Sequence, residues 1–172
     1  MRFGDECGVG LTLPNTGCWR PKGQPLRVPV PPGSRKRLNL IGSVDWVSGE
    51  VEARVVGEHS VTAQDVLGWL DGLADRAQAI NKPIILVLDN ASIHTAALIK
   101  AKLETWQARG LYIGLLPPYS PHLNLMECPW RKLKHQLLER RAYPDLAALR
   151  SAVEAALPKL RLPPLQVQTA AG

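Results

Sequence analysis

The spacing of hydrophobic and polar positions changes several times along the chain, and each spacing predicts a different element. The apolar start "MRFG" leaves room for a short strand before the acidic pair "DE". Residues 38–44 are mostly apolar and predict a second strand. After the turn residues "VSGE", residues 51–55 alternate apolar and charged side chains. Alternation with period two is typical of a strand with one solvated face, so this region predicts an antiparallel pair.

Helical spacing begins at about residue 62. Apolar residues three and four positions apart over residues 62–80 predict an amphipathic helix. The run "KPIILVLDN" that follows is typical of a central strand buried on both faces. Residues 95–110 predict a helix that ends at Gly110. The segment "LYIGLLPPY" is a second buried strand stopped by two prolines, and helices over residues 124–141 and 145–157 follow.

This order of elements predicts one α/β domain. Antiparallel strands followed by alternating helices and strands give a mixed sheet with helices on both faces. The domain is expected to span residues 1–157 of the 172. Within it, residues 14–37 are rich in Pro, Gly and basic side chains and predict a long basic loop. Residues 158–172 are expected to form a loosely ordered tail.

Composition and charge narrow the function. The chain has 21 Lys and Arg against 15 Asp and Glu, a net charge of +6, which favours a polyanionic partner. Its three cysteines form no CxxC pair, which argues against a disulfide framework or a zinc knuckle and favours a reducing compartment. The polar start is unlike a signal peptide, and no apolar run reaches the roughly 20 residues that span a bilayer. A cytoplasmic protein without membrane contact is therefore expected.

Asp89 is the first candidate for chemistry, because it directly follows a buried strand. A rigid strand end suits divalent-metal chemistry, since Mg²⁺ demands oxygen ligands in near-octahedral geometry. Asp89 and Asn90 also fit an ordinary turn, because Asp and Asn often begin turns. The residues by themselves leave both interpretations open.

Glu127 is the second candidate, and three interpretations of it remain open. Asn124 and Glu127 have the spacing of an N-cap residue and a capping-box glutamate. Glu127 also has the spacing to pair with Arg131 on one helix face. A helix that begins at Pro129 would instead leave Glu127 before the first turn, outside any capping box. Asp45, in "DWVSGE", is assigned to turn chemistry.

Three segments together resemble a known family. The pair "DE", the segment "LDNASIH" and the segment "LPPYSPHLNLMECPWRKLK" resemble the three signature blocks of DDE transposases of the mariner-like superfamily. The third block is similar to that of the bacterial insertion-sequence branch, as are "GCWRPKGQP" and "LNLIGSV". The resemblance covers residues 1–141, and the third block is long enough to be specific.

The resemblance implies an RNase H-like fold in which three carboxylates hold two Mg²⁺ or Mn²⁺ ions. Asp5, Asp89 and Glu127 match the catalytic and metal-binding positions, with 127 − 89 = 38 positions between the last two. Asp5 and Glu6 are neighbours on a strand and point to opposite faces, and the family pattern favours Asp5 as the ligand. The implied reaction is cleavage and strand transfer of DNA at transposon ends by two-metal phosphoryl transfer.

Further residues are candidates for supporting roles or for DNA contact. The supporting set near the acids is Glu6, Asn90, His94 and Asn124. The DNA-binding set is Trp19, Arg20, Lys22, Arg35, Lys36, Arg37, Arg131, Lys132 and Lys134. Ordinary alternatives stay open for both sets: a loop hydrogen bond, a solvated charged face, or an aromatic side chain that anchors a loop to the core. The face formed by Met126, Trp130, Leu133 and Leu137 is predicted to be core.

The resemblance also implies partners: double-stranded DNA, as transposon ends and target, and a second copy in a homodimeric active complex. In this family a helix-turn-helix region usually precedes the catalytic domain, whereas the sequence here begins directly with the first acidic block. We therefore expect this chain to be the catalytic half, with a separately encoded N-terminal DNA-binding half as a further partner. Leu125 replaces a proline of the pattern and Pro129 follows the acid, which puts the pitch of the Glu127 helix in question. Another RNase H-like nuclease, and a catalytically inactive remnant that binds DNA or a partner transposase, remain as alternatives.

Overall fold

A computed structural model describes residues 1–12, 21–24, 35–139 and 142–164. Its centre is a five-stranded sheet in the order β3-β2-β1-β4-β5. The strands are β1 (Arg2–Gly10), β2 (Arg37–Asp45), β3 (Val51–Gly57), β4 (Ile84–Leu88) and β5 (Leu111–Leu115). The α-helices are α1 (Ala63–Ile80), α2 (Ala97–Lys100), α3 (Leu103–Ala108), α4 (Glu127–Lys132) and α5 (Leu146–Ala156). A π-helical turn, Leu133–Leu137, continues α4.

The sheet is mixed, as predicted. Strand β1 lies at its centre and pairs antiparallel with β2, which pairs antiparallel with β3. On its other side β1 pairs parallel with β4, and β4 pairs parallel with β5. The predicted short first strand is wrong in length: β1 has nine residues. It continues because Cys7 and Val9 are buried on one of its faces.

Helices cover both faces of the sheet, and each face has its own hydrophobic cluster. One cluster lies under α4 and α5 and includes Phe3, Trp130 and Tyr143. The other lies under α1, α2 and α3 and includes Leu86 and Trp106. Burial on both faces of the sheet agrees with the continuous apolar runs of the central strands, which predicted cover on each side.

The predicted helix over residues 95–110 is wrong as a single element, because the chain forms α2 and α3 there. Neither helix has a side-chain cap at its N-terminus. Such short helices are marginal by themselves, so we infer that burial of Ile99 and Trp106 holds them in place. The long helix over residues 62–80 is confirmed; a capping box of Thr62 and Asp65 begins it.

The predicted helix over residues 124–141 is also too long. Helix α4 begins at Glu127 and the π-helical turn ends at Leu137, after which the backbone becomes extended. Pro129 explains the late start, because its ring would clash with the carbonyl of Leu125 in a helix that began at Asn124. Pro129 therefore lies in the first turn, where it is tolerated.

The C-terminal segment is ordered further than expected. Leu160 is buried, Arg161 forms an isolated β-bridge with Glu50, and the Leu162 amide donates to the Gly49 carbonyl at 2.9 Å. Gly49 has a φ of +68°, and a Cβ there would lie 2.2 Å from the Leu162 carbonyl oxygen, so only glycine permits this contact. Most of the predicted basic loop and residues 165–172 lie outside the described residues.

Within the described ranges of the chain, none of the helices combines the length and the apolar character needed to cross a membrane.

Candidate active site

The three candidate carboxylates come from three different elements. Asp5 lies in the middle of β1, Asp89 directly follows β4, and Glu127 is the first residue of α4. In the parallel pair of β1 and β4, Arg2 pairs with Leu86. Extended by three residues, this register would place Asp5 opposite Asp89, and the charge of Asp89 does act on Asp5. The central strand and its neighbour therefore bring two of the acids side by side.

The charges of Asp89 and Glu127 both act on Asp5. Burial is the largest cause that raises the pKa of Asp5, which reaches about 7, and the charge of Glu6 adds to it. The Glu6 amide opposes this rise by a backbone hydrogen bond, while the charges of Glu127 and Asp89 raise the pKa further. Among the residues that the structure describes, no three His, Cys, Asp or Glu side chains are close enough together to hold a metal ion. The site thus gathers negative charge without a closed cage of ligands.

Glu6 and Asp5 point to opposite faces of β1, as strand geometry predicts. Phe3 and Cys7, which share a face with Asp5, are buried in the cluster under α4. Glu6 instead contacts His94: its Oε1 lies 2.6 Å from Nε2 of the histidine. The His94 side chain is fully buried, so Glu6 has a defined partner away from Asp5.

His94 also contacts Asp89 and so bridges two acids. Its Nδ1 lies 2.9 Å from Asp89 Oδ1, and the Ala91 amide donates to the same oxygen at 2.9 Å. Ionised carboxylates only accept hydrogen bonds, so the ring donates from both nitrogens and carries a positive charge when both acids are ionised. Burial opposes that charge, but the bonds to Glu6 and Asp89 outweigh it and raise the pKa of His94. The Ala91 contact is the turn that the sequence predicted at Asp89, so Asp89 both begins a turn and binds His94.

Asn90 and Asn124 connect the acid-bearing segments. Asn90 donates from its side chain to the Leu116 carbonyl, which joins the exit of β4 to the exit of β5. Asn124 is buried; its Nδ2 donates to the Gly4 carbonyl at 3.0 Å, and its Oδ1 accepts from the Met126 amide at 3.1 Å. One amide side chain therefore ties the start of α4 to the residue before Asp5.

The capping-box and ion-pair interpretations of Glu127 are both wrong. Asn124 caps the Met126 amide rather than forming a capping box with Glu127, and α4 has no side-chain cap. Over the described ranges, Glu127 forms no ion pair with Arg131 or any other base. The third interpretation is wrong in detail, because the helix begins at Glu127 itself. The carboxylate is exposed, and no ion pair is found for it among the residues that the structure describes.

Two cavities border the acids. One, of about 390 Å³, is lined by Asp89, Asn90 and the fully exposed Tyr119, whose φ of +57° is unusual for a non-glycine residue. The other, of about 590 Å³, is lined by Glu127, Arg131 and Trp46 among others. Neither aromatic residue was predicted from the sequence. The available signals were the position of Trp46 in a polar turn and that of Tyr119 after two prolines.

All three acids lie in the part of the chain that matches a single protein-family model. The family model described as DDE superfamily endonuclease matches residues 1–150. This chain belongs to the DDE superfamily endonucleases. The family predicted from the three blocks is confirmed, while its placement in the bacterial insertion-sequence branch stays a prediction.

Solved structures similar to this DDE endonuclease are those of the Mos1 mariner transposase. The Mos1 strand transfer complex matches at 21% identity and a TM-score of 0.64, over 91% of this chain and 46% of that chain. The Mos1 paired-end complex with Mg matches at 22% identity and 0.66, over 92% and 48%. The isolated Mos1 catalytic domain matches at 18% identity and 0.62, over 91% and 69%. Among curated proteins, none matches.

These likenesses confirm the predicted RNase H-like fold, since the Mos1 catalytic domain has that fold and superposes on nine-tenths of the DDE endonuclease. The chain spans about half the length of the Mos1 chains in the DNA complexes. The match therefore does not extend to the functions of the remaining half of Mos1.

The predicted DNA-binding residues of the endonuclease differ in their surroundings. Trp19 and Arg20 lie outside the described residues. The exposed members are Lys22, Arg35, Lys36, Arg37 and Arg131. Lys132 instead donates to the Arg161 carbonyl at 2.7 Å and holds the C-terminal segment. Lys134 hydrogen-bonds the thiol of Cys7, although burial raises the pKa of that thiol to about 11. Lys134 is therefore near the face of β1 that bears Asp5.

Replacing Asn124 with alanine tests its link between β1 and α4. We expect a loss of about 1–2 kcal/mol in the free energy of unfolding, because the Gly4 carbonyl and the Met126 amide lose their buried partner. Cleavage, where measured, should fall about 10-fold as Glu127 is held less firmly. Urea unfolding compares the variant with Gln107→Ala, which removes an exposed amide. Unchanged stability in Asn124→Ala would contradict the link.

Proposed function

We propose that this domain cleaves DNA strands at transposon ends and joins them to target DNA by phosphoryl transfer. Asp5, Asp89 and Glu127 are the proposed catalytic residues. The observation that supports this most is that Asp89 and Glu127, from two other sequence blocks, both lie near enough to Asp5 for their charges to raise its pKa. A structural role does not explain Glu127, which within the described residues neither caps its helix nor forms an ion pair.

The donor set fits a divalent cation. Carboxylate oxygens are the ligands that Mg²⁺ and Mn²⁺ prefer. Burial and the neighbouring acids raise the pKa of Asp5 to about 7, and a bound divalent cation would compensate the negative charge gathered there. Mos1 has been solved with Mg and with Mn. We infer that Asp5, Asp89 and Glu127 hold Mg²⁺ or Mn²⁺, as two ions. Such ions activate a nucleophile and stabilise a leaving oxygen.

The residues around the acids fix their positions. Asp89 Oδ1 is fixed by the His94 ring and the Ala91 amide, which leaves Oδ2 as the oxygen proposed to bind the cation. Asn124 ties the start of α4, where Glu127 lies, to the Gly4 carbonyl of β1. Asp5 is fixed by the sheet itself. Chemistry at a phosphate depends on such preorganised placement, because the reacting groups must be in line.

The partners follow from the same proposal. Mos1 is known in a strand transfer complex and in a paired-end complex with the left transposon end. We infer that this domain acts on double-stranded transposon ends and target DNA as a homodimer. The free thiols of Cys7 and Cys128 suit the reducing cytoplasm, where the protein would associate with the nucleoid when bound to DNA.

A nicking assay on supercoiled plasmid DNA tests the proposed function. We expect the chain to nick the plasmid with Mg²⁺ or Mn²⁺ but not with EDTA, and to leave 3′ hydroxyl ends that a polymerase extends. Asp89→Ala should remove nicking while thermal unfolding shows an intact fold. Glu104→Gln, an exposed acid on α3, is the matched control and should nick like the wild type. Wild-type nicking by Asp89→Ala would contradict the proposal, and no nicking by any form would favour a DNA-binding remnant.

A further inference from the structure

The turn between β2 and β3 presents an aromatic side chain next to Glu127. Trp46 keeps 41% of its surface exposed, and its ring contacts Phe3 with the centroids 5.6 Å apart. The turn is held without the indole: Asp45 Oδ1 accepts from the amides of Val47 and Ser48 at 3.0 and 2.9 Å. Trp46 is therefore a positioned but open aromatic surface.

Trp46 differs from the three other tryptophans that the structure describes, because those three are buried. Trp69, Trp106 and Trp130 are buried in the two core clusters, with at most 8% of their surface exposed. Trp46 belongs to neither cluster. An exposed tryptophan at the rim of a cavity is more typical of a binding site than of packing, because its apolar face contributes little to stability while it remains in water.

The cavity beside Trp46 has the chemistry of a nucleotide site. Its volume is about 590 Å³, within the range of small-molecule sites, and its lining includes Glu127, Arg131 and His122. A guanidinium matches a phosphate in charge and in hydrogen-bond geometry. An indole offers a face on which any base stacks. The described part of the chain provides no ion pair for Arg131, so its charge is available to a ligand.

We propose that this cavity binds one unpaired nucleotide of the DNA strand, with its base stacked on Trp46 and its phosphate against Arg131. The nucleotide must be unpaired, because both faces of a base inside a duplex are already covered by its neighbours. This inference rests on the proposed function, since Glu127 lines the same cavity and the nucleotide would adjoin the phosphate that reacts. A frayed strand end is thus the form of substrate that the cavity recognises.

The test measures binding without cleavage. The probe is a duplex with a short single-stranded end and a fluorescent label at its other end, titrated in EDTA and followed by anisotropy. Stacking predicts that Trp46→Ala weakens binding roughly 5- to 150-fold with an unchanged salt slope, while Trp46→Phe keeps most of the affinity. Arg131→Gln should lower the slope of log affinity against log salt by about 0.7. Val47→Ala, in the same exposed turn, should bind like the wild type.

A second measurement identifies the base. Probes with an abasic nucleotide at successive positions of the single-stranded end should bind the wild type more weakly at one position. That same probe should bind Trp46→Ala with no additional loss, because two changes that remove one contact are not additive. Additive losses, or wild-type affinity in a folded Trp46→Ala, would overturn the inference. Absence of any binding by the wild type would instead contradict the proposed function, so the two failures are distinguishable.

Discussion

Replacing Asp5 with asparagine is expected to abolish DNA cleavage and, at the same time, to stabilise the folded domain at pH 7. Cleavage should fall by about 1,000-fold or more, because the variant loses a charged oxygen ligand at the centre of the site. Stability should rise by roughly 1–3 kcal/mol, because the fold no longer has to accommodate a buried charge beside other acids. Few substitutions move activity and stability so strongly in opposite directions.

The pH dependence of this effect has a defined sign. The pKa of Asp5 is raised from 3.8 to about 7 in the folded state, so the folded protein binds this proton more tightly than the unfolded chain. The contribution of Asp5 to stability is therefore fully present below about pH 4 and is lost as the pH rises through about 7. The wild type should lose stability over this window, and Asp5→Asn should lose less.

Urea unfolding of both proteins at pH 4 and pH 7, in EDTA, measures the effect. The difference between them should be small at pH 4 and largest at pH 7. Glu104→Gln serves as the control, because this acid is exposed on α3, and its replacement should change neither stability nor nicking. An Asp5→Asn variant that nicks DNA normally would reject Asp5 as a catalytic residue. A variant less stable than the wild type at pH 7 would reject the electrostatic account.

Replacing His94 with leucine is expected to have the largest destabilising effect among the substitutions considered. The leucine leaves Glu6 and Asp89 without the cationic ring between them, and removal of one member of a buried charged network costs about 3 kcal/mol. Cleavage by the folded fraction should fall roughly 10- to 100-fold, as it does when a residue that hydrogen-bonds a metal ligand is removed. Asp89 would keep its bond from the Ala91 amide but lose the one that fixes its rotation.

Glu6→Gln separates the bridge from general packing. Glutamine keeps an oxygen that accepts from the ring but removes the charge, so this variant should retain most of the stability and part of the activity. Thermal unfolding and nicking at low salt provide both readouts. If His94→Leu and Glu6→Gln were equally destabilised, or if neither changed stability, the bridge would not be what holds Asp89 in place.

The acids and the strands that bear them could be predicted from the sequence. The apolar run before Asp89 indicated a central strand, and three ordered blocks indicated the family. The partners of these acids could not be predicted in the same way. Glu6 and His94 are 88 positions apart, and their contact depends on the parallel register of β1 with β4, which no local pattern encodes. The same holds for the link from Asn124 to Gly4.

Local chemistry also misled where tertiary contacts decide. The spacing of Asn124 and Glu127 matches a capping box, yet Asn124 donates to the buried Gly4 carbonyl and accepts from the Met126 amide, so no capping box forms. Helical spacing over residues 95–110 was present, but burial of Ile99 and Trp106 is satisfied by two shorter helices. Trp46 was overlooked because an aromatic residue in a turn has no periodicity to mark it.

The π-helical turn at Leu133–Leu137 has an evolutionary consequence. A π turn holds one more residue per turn than an α-helix, so it accommodates a single-residue insertion without breaking the chain of hydrogen bonds. Because it lies after α4, an insertion there rotates only the residues that follow Leu137. The phase of Glu127 relative to β1 stays fixed. The gene can therefore gain or lose a codon in this turn while the third acid keeps its place.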